Sequence, residues 1–259
     1  MYHFQLKHSF KSIFSRQHSI VNLTFYMVMS SIPKYKIWSP FKELMDEIKE
    51  ESYGILILNS PINFNFDPEF VLRLWNQARV KITVDGGTEK WIQWLASYKF
   101  DSDKVPLPDL ITGDMDSVPK DVLNKFRGTS TEIIITPNQD ETDYVKALRE
   151  MRKYCTRQNV NVETVYVIAD TCGRFDQIIA NINALYKSRN ILEKVKLFQL
   201  ASTSLTWLLC EGHHEINIPL SLRSNREWCS LIPIGFPCNV TTTGLQWNLG
   251  KHEKCVSTK

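Results

Sequence analysis

The chain is 259 residues long, 43% hydrophobic and 23% charged, enough for one large or two modest domains with a sizeable core, which excludes a disordered chain. Ten glycines and eleven prolines exclude collagen-like and low-complexity chains, and the longest apolar-leaning run, 20–32, is polar-interrupted and shorter than the roughly 20 residues of a bilayer span. The net charge of +3 conceals an asymmetry: residues 1–42 carry six Lys or Arg and no Asp or Glu, leaving 25 basic against 28 acidic residues in a body with no basic footprint for nucleic acid.

Residues 1–50 read as a poorly defined leader with one candidate helix at 41–50. Serines and aromatics without acids give this stretch the composition of an organellar transit peptide, so a mitochondrial location is the alternative to a cytoplasmic one. From Gly54 the pattern changes. The runs 54–59, 80–84, 109–112, 132–136 and 162–169 are short, apolar and rich in β-branched residues, as buried parallel strands are. Helix candidates at 68–78, 88–97, 119–126, 143–154 and 175–187 alternate with them. In the last, Phe175, Ile178, Ile179, Ile182, Leu185 and Tyr186 share one face, with Phe175 expected in the core. The alternation predicts an α/β domain over 51–200 with right-handed crossovers. Beyond it, the strand-like runs 205–210, 214–218, 228–234 and 240–247 are punctuated by Gly and Pro, which predicts a smaller antiparallel β domain over 201–259. The six cysteines form no Cys-x-x-Cys pair and read as free thiols of a reducing compartment.

Polar residues gather where the α/β strands end, which is where open sheets of this class bind ligands. Asp85-Gly86-Gly87 follows the second strand. It is either an ordinary turn or a place where the backbone can approach a phosphate. Asp114 and Asp116, with Ser117 beside them, follow the third strand and offer the hard oxygen ligands that suit Mg²⁺; the structural alternative makes Ser117 a helix cap. Gln139, Asp140, Glu141, Thr142 and Asp143 open the next helix. Capping by Asp140 or Thr142 explains one or two of them, and three carboxylates on one helix start would repel one another unless a metal ion relieved them. Arg174, Asp176 and Gln177 follow the fifth strand, where an arginine either clamps phosphate or forms a surface pair with the aspartate. Together the four strand ends point to transfer of a phosphate-type group from a nucleotide. No P-loop or protein-kinase motif is present. A haloacid-dehalogenase-type phosphatase would use Asp114 and Asp116, but its nucleophile directly follows a hydrophobic strand, whereas Thr112 and Gly113 intervene here.

The ordered motifs D-G-G, L-P-D-L-I-T-G-D-M-D-S, T-P-N-Q-D-E-T-D, G-R-F-D-Q, L-I-P-I-G and T-T-T-G-L-Q-W-N-L resemble the thiamine pyrophosphokinase (thiamine diphosphokinase) family. The resemblance runs from about Gly54 to Leu249 and implies transfer of pyrophosphate from ATP to thiamine, giving thiamine diphosphate and AMP. It implies an α/β nucleotide domain followed by a β-sandwich, in a homodimer whose thiamine sites are shared between subunits; the charge distribution and hydropathy, for their part, lead us to expect no nucleic-acid or membrane partner. Asp114, Asp116 and Asp143 match its metal-binding positions for Mg²⁺, and Arg174 joins them in the catalytic set. Asp85, Gly86, Gly87, Ser117, Gln139, Asp140, Thr142, Asp176 and Gln177 match its nucleotide side. Trp247 matches the aromatic on thiamine, and a thiazolium over an indole face is physically sensible; a core tryptophan is the alternative. Asn138 stands where the family pattern has an aspartate. The family pattern continues past W-N-L with further strands, so the sandwich is expected to be truncated. A non-catalytic isoform that binds ATP without a complete thiamine site is the alternative function.

Overall fold

The computed structural model describes residues 2–7, 20–26, 35–40, 52–62, 67–219, 223–224, 228–234, 237–250 and 254–255. The candidate helix at 41–50 lies outside them. The chain divides into two compact units, residues 49–202 and a second formed by residues 1–48 with 203–259.

Residues 1–50, expected as a leader, contain strands β1 (Tyr2–Lys7), β2 (Ile20–Tyr26) and β3 (Tyr35–Trp38). These belong to the second unit. The first unit opens with β4 (Tyr53–Ile57), followed by α1 (Pro68–Gln77), β5 (Val80–Val84), α2 (Gly87–Ser97), β6 (Leu110–Gly113), α3 (Lys120–Asn124), β7 (Glu132–Ile135), α4 (Asp143–Gln158), β8 (Thr164–Ile168), α5 (Phe175–Ile191) and β9 (Lys196–Ala201). All six strands are parallel, in the order β9-β8-β4-β5-β6-β7. The chain runs outward from β4 to β7, then returns to the other side of β4, which creates a topological switch between β4 and β8.

Strands β4, β6 and β8 are buried along their whole length, as their unbroken apolar runs require. At the edge, β7 is only half-buried and Ile135 is exposed, against the expectation of a fully buried strand. Strand β9 was not anticipated as an element of the sheet. Local chemistry sets the helix starts: the Asp67 side chain accepts from Glu69 N–H at α1, and Thr142 accepts from Val145 N–H at α4. Helix α3 has no side-chain cap, so Ser117 does not play the capping role its sequence allowed. Phe175 is not in the core. It is 73% exposed and Ile179 48%, and of the α5 apolar series only Leu185 is fully buried.

The second unit continues with β10 (Ser204–Leu209), β11 (His213–Pro219), β12 (Trp228–Pro233), β13 (Cys238–Asn239), β14 (Thr241–Thr243) and β15 (Lys254–Cys255). Strand β1 lies antiparallel between β10 and β12. Strand β2 lies antiparallel between β11 and β14, and β3 runs parallel to β11. The strand expected over 240–247 stops at Thr243, because Gly244 takes φ +85° and the chain folds back. Asn248 accepts from Leu245 N–H, and Thr242 and Leu249 exchange backbone and hydroxyl bonds across this turn. No helix among the described residues is long and apolar enough to cross a membrane.

Candidate active site

Three consecutive strand ends of the first unit deliver one carboxylate each. Asp85 follows β5, Asp114 follows β6, and Asp143 opens α4 after β7. One ligand oxygen from each lies within 4.8 Å of the others. Parallel strands bring this about, since every crossover returns the chain to the same sheet edge before the next strand begins.

Backbone geometry explains why the glycines beside Asp85 are glycines. A Cβ on Gly87 would lie 2.4 Å from the Ile57 carbonyl oxygen, so the start of α2 presses directly on the end of β4. A Cβ on Gly86 would meet the Asn59 side chain at 2.6 Å, which brings Asn59 to the site's edge. Asp85 itself is 3% exposed with φ +47°, and its Oδ1 accepts from Ser117 N–H at 3.2 Å. Ser117 thus serves the site through its backbone, while its hydroxyl donates to Asp116 at 2.8 Å.

Asp114 and Asp116 separate. Met115 between them takes φ +65° and packs against Ile111, Val118, Val122 and Phe126. Asp114 turns to the carboxylate group, accepting from Gln139 Nε2 at 2.7 Å and from Asp116 N–H at 3.2 Å. The Gln139 hydrogen bond, followed by the Asp116 amide and the Lys146 charge, holds the Asp114 carboxyl below the usual carboxylate range. Asp116 is exposed and outside the group. Burial pushes Asp143 up, with the nearby Asp114 and Asp85 charges adding to it and Lys146 opposing. Lys146 Nζ stands 2.7 Å from Asp143 Oδ1, an ion-pair distance, yet that oxygen meets no donor at a hydrogen-bonding angle.

The group fits a hard divalent cation. All donors are carboxylate oxygens, one is buried and unsatisfied as an acceptor, and three negative charges this close are costly without a cation among them. Asp140 and Thr142 border it, exposed, with Asp140 N–H donating to Asn138 Oδ1 at 2.7 Å and Thr142 capping α4. Asn138, at a position where an aspartate was expected, shapes this loop through its amide oxygen.

Arg174 is not in the group. It is exposed and forms a two-point ion pair with Asp176, while Gln177 is exposed beside them. At the switch point, Asp170 N–H donates to Ser60 Oγ, linking the ends of β8 and β4. In the second unit Trp247 is 73% exposed at the Gly244 turn, which removes the core alternative. Sequence reasoning missed Asn59, Ser60, Asp170 and Lys146. Asn59 ends a predicted strand and Ser60 directly follows it, a signal that could have flagged them; Lys146 looked like one more lysine on a helix.

The family model described as "Thiamin pyrophosphokinase, catalytic domain" matches residues 71–197, and "Thiamin pyrophosphokinase, vitamin B1 binding domain" matches residues 213–257. Thiamine pyrophosphokinase 1 of Arabidopsis thaliana is 32% identical over 209 residues, covering 78% of this chain and 74% of its own. Thiamine pyrophosphokinase 3 of Oryza sativa subsp. japonica is 32% identical over 206 residues, covering 76% and 73%. The crystal structure of yeast thiamin pyrophosphokinase shares the fold with a TM-score of 0.63 at 20% identity, covering 86% of this chain and 84% of that one.

Proposed function

This chain belongs to the thiamin pyrophosphokinase family, and from that premise we propose that it transfers the pyrophosphoryl group of ATP to thiamine, giving thiamine diphosphate and AMP. The thiamine hydroxyl oxygen bonds to the β-phosphorus, the bond from that phosphorus to the α-β bridging oxygen breaks, and the hydroxyl proton is released. The observation that carries this reading is the convergence of Asp85, Asp114 and Asp143 at three successive strand ends. These three would hold Mg²⁺, which when bound offsets polyphosphate charge as the leaving AMP develops its own.

The chain's own groups bind and orient. The close approach of Gly86 and Gly87 to β4 places the N-terminus of α2 at the same edge as the carboxylates. Gln139 fixes the Asp114 carboxylate, and the Thr142 cap fixes the first turn of α4 and with it Asp143. Asp116, Ser117 and Asp140 border the nucleotide. Arg174, with Asp176 and Gln177, supplies the planar donor set for a phosphate once it exchanges its present carboxylate partner. Trp247 supplies the face for the thiazolium cation. The active form is a homodimer with shared thiamine sites; the uncovered apolar residues Phe175 and Ile179 on α5 support this. Free thiols at Cys155, Cys172, Cys210, Cys229 and Cys238 suit a cytoplasmic location.

The test is product analysis with thiamine, ATP and Mg²⁺. Thiamine diphosphate and AMP are expected in equal amounts. Formation of ADP with thiamine monophosphate, or release of phosphate independent of thiamine, would overturn the assignment.

A further inference from the structure

Lys146 is in the wrong place for a lysine. It is the fourth residue of α4, at the end of a helix where the macrodipole disfavours a cation, and it is only 7% exposed. Burying an ammonium is costly unless it is paired and fully hydrogen-bonded. Nζ donates to the Thr136 carbonyl oxygen at 2.7 Å and to that of Asn138 at 2.9 Å, and its charge is paired with Asp143 Oδ1 at 2.7 Å. Two of these contacts fix the loop that carries Gln139, the residue bonded to Asp114; the third reaches the carboxylate group directly.

We infer that Lys146 is a positioning residue for the proposed transfer, a built-in counter-charge that holds Asp85, Asp114 and Asp143 together before a metal ion arrives and holds the Gln139 loop against them. The inference rests on the proposed function for its catalytic consequence only. Lysine at this point lets the protein fold with three carboxylates converging, because its charge sits 2.7 Å from Asp143 Oδ1 at one side of the group. A merely structural tie between loop and helix would need the donors but not the charge.

Lys146→Gln keeps amide donors and removes the charge, whereas Lys146→Arg keeps the charge. Melting temperatures of the full chain are measured in EDTA and across a Mg²⁺ series, with kcat and both KM values at saturating Mg²⁺. Lys146→Gln should melt lower than wild type in EDTA and gain more from Mg²⁺, by about 3 °C. Lys146→Arg should show the wild-type increment. The kcat of Lys146→Gln should fall about tenfold with KM for thiamine unchanged, because misplacing the carboxylates and the Gln139 loop weakens transition-state stabilisation without touching thiamine binding. Equal Mg²⁺ increments in all three chains, including none in any, overturn the inference, as does a Lys146→Gln kcat within twofold of wild type. Should wild type make no thiamine diphosphate, the proposed function fails and the Mg²⁺ increments alone decide Lys146. Should Lys146→Gln not fold, the double variant with Asp143→Asn decides: recovery of folding supports the counter-charge, and continued failure overturns it.

Discussion

Asp114 and Asp116 stand two residues apart at one strand end, and only Asp114 turns to the carboxylate group. Asp114→Asn should therefore lower kcat by at least about 100-fold, which is roughly 2.7 kcal/mol of transition-state stabilisation. The same change removes a charge that Gln139, the Asp116 amide and Lys146 stabilise in the fold, so the metal-free melting temperature should fall slightly rather than rise. Asp116→Asn, whose carboxylate only accepts from Ser117, should cost less than about tenfold. Equal losses of kcat in the two variants would show that the grouping is wrong. The D-x-D spacing made both residues legible as a pair of strand-end acids. Which of them faces the group was not legible, because it turns on the φ of +65° at Met115, a conformation that residue type does not announce outside glycine. Lys146 was illegible for a related reason: its meaning lies in burial and in backbone carbonyls ten and eight residues earlier. Neither is written in its neighbours.

At the level of elements, alternating short apolar runs and amphipathic helices predicted the five α-helices described in the first unit and all but one of the strands of the parallel sheet. The exception, β9, mixes Lys196 and Gln199 among its apolar residues and lies only two residues before β10, so it did not stand out as a buried strand of its own. The α5 face was predicted from spacing, yet periodicity shows that residues share a face and not what covers it; Phe175 and Ile179 are uncovered in the single chain. The contact of α2 with β4 gives a paired prediction. Gly87→Ala drives a methyl into the Ile57 and Leu58 backbone, which cannot move aside, and should cost about 1–3 kcal/mol in urea unfolding. Gly86→Ala meets only the side chain of exposed Asn59 and should cost under about 0.5 kcal/mol. Equal costs would mean that α2 does not press on β4 as described. Strands β3 and β11 give another. Trp38 Nε1–H donates to His214 Nδ1 at 2.9 Å, and the opposite ring nitrogen meets the Cys210 carbonyl oxygen at 2.7 Å, so the imidazole is neutral with its proton on Nε2. Burial, then the facing charges of Lys36 and His213, holds His214 below its ordinary value, with the Cys210 bond opposing. A histidine whose folded pKa is depressed contributes stability above its unfolded value of about 6.5, and that stability is lost as pH falls below it. Wild type should accordingly lose melting temperature between about pH 7 and pH 5, and His214→Gln should show a shallower slope over the same range. Identical slopes would remove His214 as the cause.

On the scale of the whole molecule, the least legible feature was the part played by the N-terminus. Strand β1 pairs with residues about 200 positions away, His3 opposite Leu208 and Ile232, and no local pattern in an acid-free stretch can announce such partners. The charge asymmetry that suggested a leader is equally compatible with strands, since lysine and serine are common on exposed strand faces. Assembly is the other question at this scale, and Ile179 tests it. It stands 48% exposed one turn beyond Phe175 on α5, on a face whose apolar residues a second copy of the chain would cover. Wild type should sediment at twice the chain mass, and Ile179→Asp, which puts a charge into that face, should sediment at the chain mass. A residue that acts only through assembly affects the substrate whose site is shared: the thiamine KM of Ile179→Asp should rise at least about fivefold, and the ATP KM should change less than about twofold, because the carboxylate group lies wholly within one chain. A monomeric wild type, or a dimeric Ile179→Asp with normal thiamine KM, would reject both the α5 interface and the shared site. A monomeric Ile179→Asp with an unchanged thiamine KM would keep the interface and place the whole thiamine site in one chain.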